Sequence, residues 1–384
     1  MKKTTKDFKS HALYFFLYCP LGAMTPLIGQ YLNSIGFSGT QVGVVTSMGT
    51  ASAVLFGLLW GRVYSNTQSK RRLIAAMFLA AGIFSILTLS TKVFFTYVTI
   101  YAAMYAFQGP VYGLCDSLVI AHGDNFSKVR SFGAVGFSAA VYITGSYAEA
   151  HGLKSIFYIY AMTFAVAAII VLRMKEPPHY KNNDGSRKNS AKELFRDRKY
   201  VHLLICSFFV FGCAIANSTY FGYLYREGGG TIYGIGVAFL LMAGSEAVFM
   251  LLVPRINKVL PTEKLTVIAV GLCALRFAFY AFGPGYKLLL ATFFLQGMSN
   301  GIIWVEFIKY FGKIPEPRLS SLGISTFHAI GNNFSSIVCS LLGGILLDAF
   351  GARGCYLFFA IWNGLAFVLY LLWGLQKGGE TSEK

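Results

Sequence analysis

The chain has 384 residues, 55% of them apolar and 13% charged, with a formal charge of +17. Soluble domains carry about 25% charged residues, so this composition excludes an ordinary soluble fold and makes a bilayer the solvent. The 33 Lys and Arg are spread along the chain rather than gathered in one patch, which excludes nucleic-acid binding as the meaning of the charge.

A helix that crosses a bilayer needs about 20 apolar residues. Such stretches run at 12–33, 40–62, 73–91, 93–119, 130–148, 155–172, 201–224, 232–253, 265–282, 288–308, 320–343 and 355–374, predicting twelve crossings. Short linkers between them predict antiparallel hairpins. A closed β-barrel, the other way to satisfy backbone groups in lipid, would show alternating segments of about ten residues, and the sequence has none. The first stretch is too long, and too rich in Pro and Tyr, for a cleaved secretory signal, and no small-residue cleavage site follows it. It reads as a retained helix, kinked by Pro20 and Pro26.

With the amino terminus inside, the cytoplasmic segments hold 26 of the 33 Lys and Arg. The outer loops hold five: Lys92, Lys154, Arg226, Lys287 and Arg353. That partition obeys the positive-inside rule and predicts a bacterial inner (plasma) membrane protein with both termini cytoplasmic. The seven Cys residues show no metal-ligand spacing, so they read as small packing residues. Gly57-Leu-Leu-Trp-Gly61 in the second helix is a small-xxx-small pattern, which predicts a close helix contact there.

One long polar segment, Arg173 to Lys199, carries nine Lys or Arg and divides the stretches six and six. The domain boundaries that follow are an amino-terminal six-helix bundle at 1–172, a cytoplasmic linker at 173–200 and a carboxy-terminal six-helix bundle at 201–384. Within the linker, Ser190-Ala-Lys-Glu193 reads either as a helix-capping box or as plain solvated chain. A weak repeat relates the halves. Gly145, Glu149, Gly152 and Lys154 recur as Gly344, Asp348, Gly351 and Arg353, each 199 residues later. Just upstream, Arg130-Ser-Phe-Gly133 pairs with His328-Ala-Ile-Gly331. Tandem six-helix repeats with a site at their interface are a transporter architecture.

These residues resemble the major facilitator superfamily, within the branch that holds lactose permease and the phenylpropionate-permease-like proteins. The similarity lies in Pro26 with Gly36-Phe-Ser-Gly-Thr-Gln-Val-Gly43, in Pro110-Val-Tyr-Gly-Leu-Cys-Asp116, and in Arg130-Ser-Phe-Gly-Ala-Val-Gly-Phe137. The resemblance implies an all-α membrane protein of 12 transmembrane helices in two pseudo-symmetric six-helix bundles, the major facilitator fold. It implies that Arg130 holds substrate, that Phe137 replaces a stacking tryptophan, and that Arg276 belongs to a proton-coupling network. Glu246 and Asp116 each lie about one turn from the family's acidic positions. Gln296 and Ser299 stand where the coupling His and Glu of the tenth helix would be. In the loop after the second helix the basic cluster Lys70-Arg71-Arg72 remains, while Ser65 replaces the usual acid.

A charge at the bilayer centre costs about 2.5–3.5 kcal/mol. Asp116, Arg130, Glu246, Arg276 and Glu306 are therefore expected to face one another or a wet cavity. Asp116 with Arg130, and Glu246 with Arg276, are the expected ion pairs. Glu306 is expected to pair locally with Lys309, three residues on. The expected substrate-binding residues are Arg130, Phe137, Asp116, His328 and Asn332; the expected proton-coupling residues are Glu246, Arg276 and Asp116. Asn217, Gln108 and Asn300 are further lining candidates. The expected function is a secondary transporter, a proton symporter of a small polar solute such as a sugar, nucleoside or organic acid. An exporter of drugs or metabolites is the nearest alternative. A channel would show charge rings or a repeated filter, and an enzyme a Walker loop, HExxH or GxSxG turn; the sequence has neither. No cofactor and no metal is expected. The expected partners are the solute, protons and membrane lipid, with no nucleic acid, and the protein is expected to work as a monomer.

Overall fold

The computed structural model describes residues 2–124, 126–176, 193–314 and 319–377. The expected capping box at Ser190 lies outside them. Among the described residues the regular structure is helical throughout. In chain order the helices are α1 (Lys2–Met24), α2 (Ile28–Ser34), α3 (Gly39–Asn66), α4 (Lys70–Leu87), α5 (Phe94–Ala121), α6 (Phe126–His151) and α7 (Ser155–Leu172). They continue as α8 (Arg198–Glu227), α9 (Ile232–Ile256), α10 (Thr262–Ala281), α11 (Tyr286–Lys313), α12 (Ser320–Thr326) and α13 (Ser335–Leu372). A π-helical stretch, Phe327–Phe334, joins α12 to α13.

Local chemistry sets several boundaries. The chain breaks after Met24 and resumes as α2 beyond Pro26, while Pro20 stays inside α1. Ser38 starts α3 with a capping box: its hydroxyl accepts the Gln41 N–H and the Gln41 side chain accepts the Ser38 N–H. Asp197 starts α8 by accepting the N–H groups of Lys199 and Tyr200 at 2.9 and 3.2 Å.

Among the described residues, nine helical segments are long and apolar enough to cross a membrane. The last, Leu322–Leu372, spans 51 residues and is broken at Gly351, which adopts φ 69°. The 28-residue α5 is about 42 Å long at 1.5 Å per residue, yet four tyrosines, Gln108 and Asp116 lower its mean hydropathy. Gly152, the earlier copy of Gly351 in the repeat, also has positive φ, 89°. Only glycine takes that conformation without penalty, so the repeat marks two equivalent helix breaks.

The helices cluster into two compact units: Met1–Asn183 with Thr231–Leu240, and Asp184–Gly230 with Leu241–Lys384. The division falls inside α9. In the first unit α1 packs on α6 and α7, α3 on α5, and α4 on α5 and α7. In the second, α8 packs on α13, and α10 on α11 and α13. There α9 meets α11 through Ser245, whose hydroxyl donates to the Phe294 carbonyl at 3.0 Å. Both units thus pair first helix with fifth, second with fourth and third with sixth, counting α13 as two helices split at Gly351.

Close approaches sit elsewhere than the sequence predicts. A Cβ on Gly57 or Gly61 would meet nothing within 4 Å, so that pattern makes no helix contact. A Cβ on Gly136 would fall 2.1 Å from the Phe15 carbonyl oxygen. Small-xxx-small spacing permits a close contact but does not say which helix arrives. Gly136→Ala is accordingly expected to destabilise the detergent-solubilised protein by about 1–3 kcal/mol, the usual cost of overpacking. Gly57→Ala and Gly61→Ala should stay within about 0.5 kcal/mol of the parent. Thermal unfolding midpoints of the three variants check this.

Candidate functional site

Two polar clusters, one in each unit, collect most of the residues singled out in the sequence. In the first unit, α5 carries Gln108, Tyr112 and Asp116 at four-residue spacing, which aligns them on one helix face. Tyr14 and Tyr18 of α1, at the same spacing, meet that face. Arg130 Nη1 lies 3.6 Å from Asp116 Oδ2, and the Tyr14 hydroxyl donates to Asp116 Oδ1. Further along, the Tyr18 and Tyr112 rings lie 5.3 Å apart. Gln108 Nε2 donates to the Tyr112 hydroxyl at 3.3 Å, and Tyr160 of α7 donates to Gln108 Oε1 at 2.9 Å.

The Arg130 side chain is 55% exposed and that of Asp116 is 29% exposed. So open a pair contributes little stability and leaves both groups able to accept another partner. The ring beside Arg130 is Phe126, 5.9 Å from the guanidinium carbon. Phe137 stands almost two turns further along α6, half-buried, with its backbone packed against Gly22 of α1. Sequence reasoning found the ion pair but missed Tyr14, Tyr18 and Tyr112. The signal was present as two tyrosines four apart in the first helix, hidden among 23 tyrosines.

In the second unit the expected Glu246–Arg276 ion pair is not formed. Arg276 of α10, only 5% exposed, donates from Nη1 to Gln296 Oε1 of α11 at 2.6 Å. Asn217 of α8 donates to the same oxygen at 3.1 Å, and Tyr356 of α13 donates to Asn217 Oδ1 at 2.6 Å. Three helices therefore meet at the Gln296 carboxamide, and α13 reaches it indirectly through Asn217. Gln296 Nε2 meets the Met242 sulfur of α9 at 3.1 Å. The guanidinium also lies over the rings of Phe277, 4.3 Å away, and Tyr280, 5.3 Å away. Its Nε and Nη2 are buried without a hydrogen-bond partner. Glu246, half-buried on α9, makes no ion pair among the described residues. The physical reason is packing: α11 delivers an acceptor directly onto Arg276, whereas Glu246 lies one turn past Met242.

His328 and Asn332 fall in the π-helical stretch, a geometry found frequently at functional sites. The His328 ring lies 5.0 Å from that of Phe327 and 6.2 Å from that of Trp304. Asn332 Oδ1 is buried without a partner. Nothing in the sequence forecast the π register, although the Asn332-Asn333 doublet in an apolar helix marked the place.

Two outlying ionic contacts are structural. Lys309 and Asn257 both donate to Glu306 Oε1, at 2.9 and 2.8 Å. This is the expected local pair with one added donor. Arg71 of the basic loop pairs with Glu176 at 3.0 Å and donates to the carbonyls of Leu172 and Met174 at the end of α7. Two apolar surface grooves, one bordered by Phe8, His11 and Phe132 and one by Leu79, Ile83 and Ala165, contain none of the predicted site residues.

Similarity to known proteins agrees with this arrangement. Residues 8–358 match the MFS_1 like family. The chain is 29% identical over 376 residues to the maltose permease of Geobacillus stearothermophilus, covering 97% of this chain and 95% of that one. It is 25% identical to the sucrose permease of Escherichia coli, covering 89% of this chain and 86% of that one. The crystal structure of the nucleoside transporter NupG superposes with a TM-score of 0.82 at 17% identity, covering 97% of this chain and 99% of that one. At that identity the likeness speaks for the fold alone. A helical membrane chain with these relatives along almost its whole length belongs to the MFS_1 like family, the permease-type transporters of the major facilitator fold.

Proposed function

We propose that the protein is a secondary active transporter that moves a sugar of about disaccharide size by alternating access, coupled to protons as a symporter. It works as a monomer in the bacterial inner membrane with both termini cytoplasmic. Its bundles are 1–172 and 201–384, joined by a cytoplasmic linker at 173–200, and together they supply twelve crossings.

The observation that carries this proposal is a pair of helix-borne arginines with hydrogen-bonding capacity left over. Among the described residues Arg276 keeps two nitrogens without a hydrogen-bond partner, and Arg130 makes an open ion pair with Asp116. A polar group in hydrocarbon without a partner costs several kcal/mol, so such donors persist where a ligand completes them. A sugar suits the first cluster. Its hydroxyls offer acceptors to Arg130 and donors to Asp116, and its apolar ring face suits Tyr18 and Tyr112. The maltose and sucrose permeases among the relatives favour a disaccharide over a nucleoside or organic acid. Arg130, Asp116, Phe137, His328 and Asn332 are assigned to substrate binding. Glu246, Arg276 and Asp116 are assigned to coupling, because a carboxylate freed from its arginine can take a proton.

Purified protein in proteoliposomes tests the proposal. An inside-alkaline pH gradient is expected to drive saturable accumulation of labelled maltose or sucrose, and a protonophore should abolish it. Unsaturable flux, or accumulation indifferent to the protonophore, would count against proton symport. Arg130→Ala should raise the half-saturating sugar concentration about 10- to 100-fold, the loss of one hydrogen bond from a charged donor. Glu246→Gln should lose uphill accumulation; accumulation at the parental level would remove Glu246 from coupling.

A further inference from the structure

The second cluster has an odd feature: a buried arginine whose hydrogen-bond acceptor is a neutral amide. Gln296 Oε1 accepts two donors, Arg276 Nη1 and Asn217 Nδ2. Asn217 is itself fixed by the Tyr356 hydroxyl. Gln296, Asn217 and Tyr356 are all essentially fully buried. The amide is thus held rigidly with its oxygen toward the guanidinium. An amide has a dipole and no charge, so it positions Arg276 without neutralising it.

The missing countercharge is rooted next door. Gly297 follows Gln296 and packs so tightly on α9 that a Cβ there would fall 2.0 Å from the Met242 carbonyl oxygen and 2.9 Å from the Glu246 nitrogen. Gly301, one turn on, abuts the Glu246 carbonyl in the same way. Glu246 therefore springs from the segment of α9 that lies against Gln296, yet its side chain makes no hydrogen bond or ion pair among the described residues. Arg276, with a neutral acceptor and no ionic partner, and Glu246, with no ionic partner among the described residues, thus flank the same stretch of α11. The ionisable neighbours of Arg276 on the packed helices are Tyr280 of α10 and Tyr356 of α13; α8 and α11 bring only amides. Among the described residues no other carboxylate is paired within this cluster.

We infer that Gln296 is a neutral holder for Arg276, and that Arg276 exchanges between the Gln296 amide oxygen and the Glu246 carboxylate during the transport cycle. When Glu246 carries a proton it offers no charge, and Arg276 rests on Gln296, as in this structure. When Glu246 releases the proton, its carboxylate outcompetes the amide, because two opposite full charges in a low-dielectric site attract more strongly than a charge and an amide dipole. Neutrality at position 296 is what makes the exchange reversible. A carboxylate there would keep Arg276 permanently, and a side chain without an acceptor would surrender it permanently to Glu246. This rests on the proton-symport proposal above, since it names how that coupling site holds its arginine in the protonated state.

A hydrophobic carbodiimide, which modifies protonated carboxyl groups in apolar surroundings, tests the exchange without sugar or gradient. The purified full-length chain, Gln296→Glu and Gln296→Met are each treated, and the adduct at Glu246 is quantified by peptide mass spectrometry. Glu306, already held by Lys309 and Asn257, serves as reference in the same digest. Labelling of Glu246 is expected in the parent, at the same level or higher in Gln296→Glu, and at least fivefold lower in Gln296→Met. Equal labelling in all three, no labelling in any, or a fall in Gln296→Glu overturns the inference. If one variant does not fold, the other against the parent decides. Sugar uptake measured in parallel separates the two ideas. The expected labelling order without proton-driven uptake would leave the exchange standing and remove the symport proposal; flat labelling with intact uptake would do the reverse.

Discussion

Hydrocarbon offers no water to a polar group, and every level of this structure answers to that fact. The backbone satisfies itself in helices. Hydroxyl side chains turn back onto their own helix: Thr46 donates to the Val42 carbonyl, Thr163 to Ile159 and Thr266 to Thr262. Buried tyrosines find carbonyls on other helices, as Tyr200 does at Gly323 and Tyr310 at Leu375. Where a carboxylate must be buried, as at Glu306, a lysine and an amide converge on it. Against this background of paired groups, Arg276 stands out as a buried cation with two nitrogens left without a hydrogen-bond partner, and Asn332 in the π-helical stretch keeps a buried carbonyl oxygen in the same condition.

The two units solve the charge problem differently. The first holds a direct ion pair, Asp116 with Arg130, tied to a tyrosine and open on one side. The second holds a guanidinium on a carboxamide, with rings on its faces and its nearest sequence-predicted acid unpaired. An open ion pair can trade one partner for a ligand at little cost. A buried cation on a neutral acceptor is poised for a charged partner. That division is what led us to propose recognition in the first cluster and coupling in the second.

The scaffold is as repetitive as the sites are not. Both units pair their helices in the same order, and both place a left-handed glycine, Gly152 or Gly351, at the break before the last helix. Close backbone contacts such as that of Gly136 on Phe15 let helices touch without side chains between them. The π-helical stretch Phe327–Phe334 is a local departure from this regularity. It lies at the position that the repeat aligns with Arg130, which places irregular geometry opposite a charged residue in the sequence alignment of the halves.

The sequence alone determined that the chain is helical, that it lives in lipid, which family it belongs to and which ionisable residues are out of place. The helices, the lipid environment and the misplaced charges depend on local composition, because the cost of inserting a segment is summed along the segment itself. The family rests instead on a resemblance in motifs such as Pro110–Asp116 and Arg130–Phe137. The Asp116–Arg130 and Glu306–Lys309 pairs were also legible, since their partners are close in sequence or on successive helices. Only the tertiary structure decided that Arg276 rests on Gln296 instead of Glu246, that Tyr14 and Tyr18 reach the face of Asp116, and that Gly57 and Gly61 touch nothing. Partners such as Tyr356 and Asn217 lie 139 residues apart, and which of several candidate acceptors meets a donor depends on the turn of helix that packing delivers. A sequence names the groups that need partners, and the meeting of distant helices assigns them.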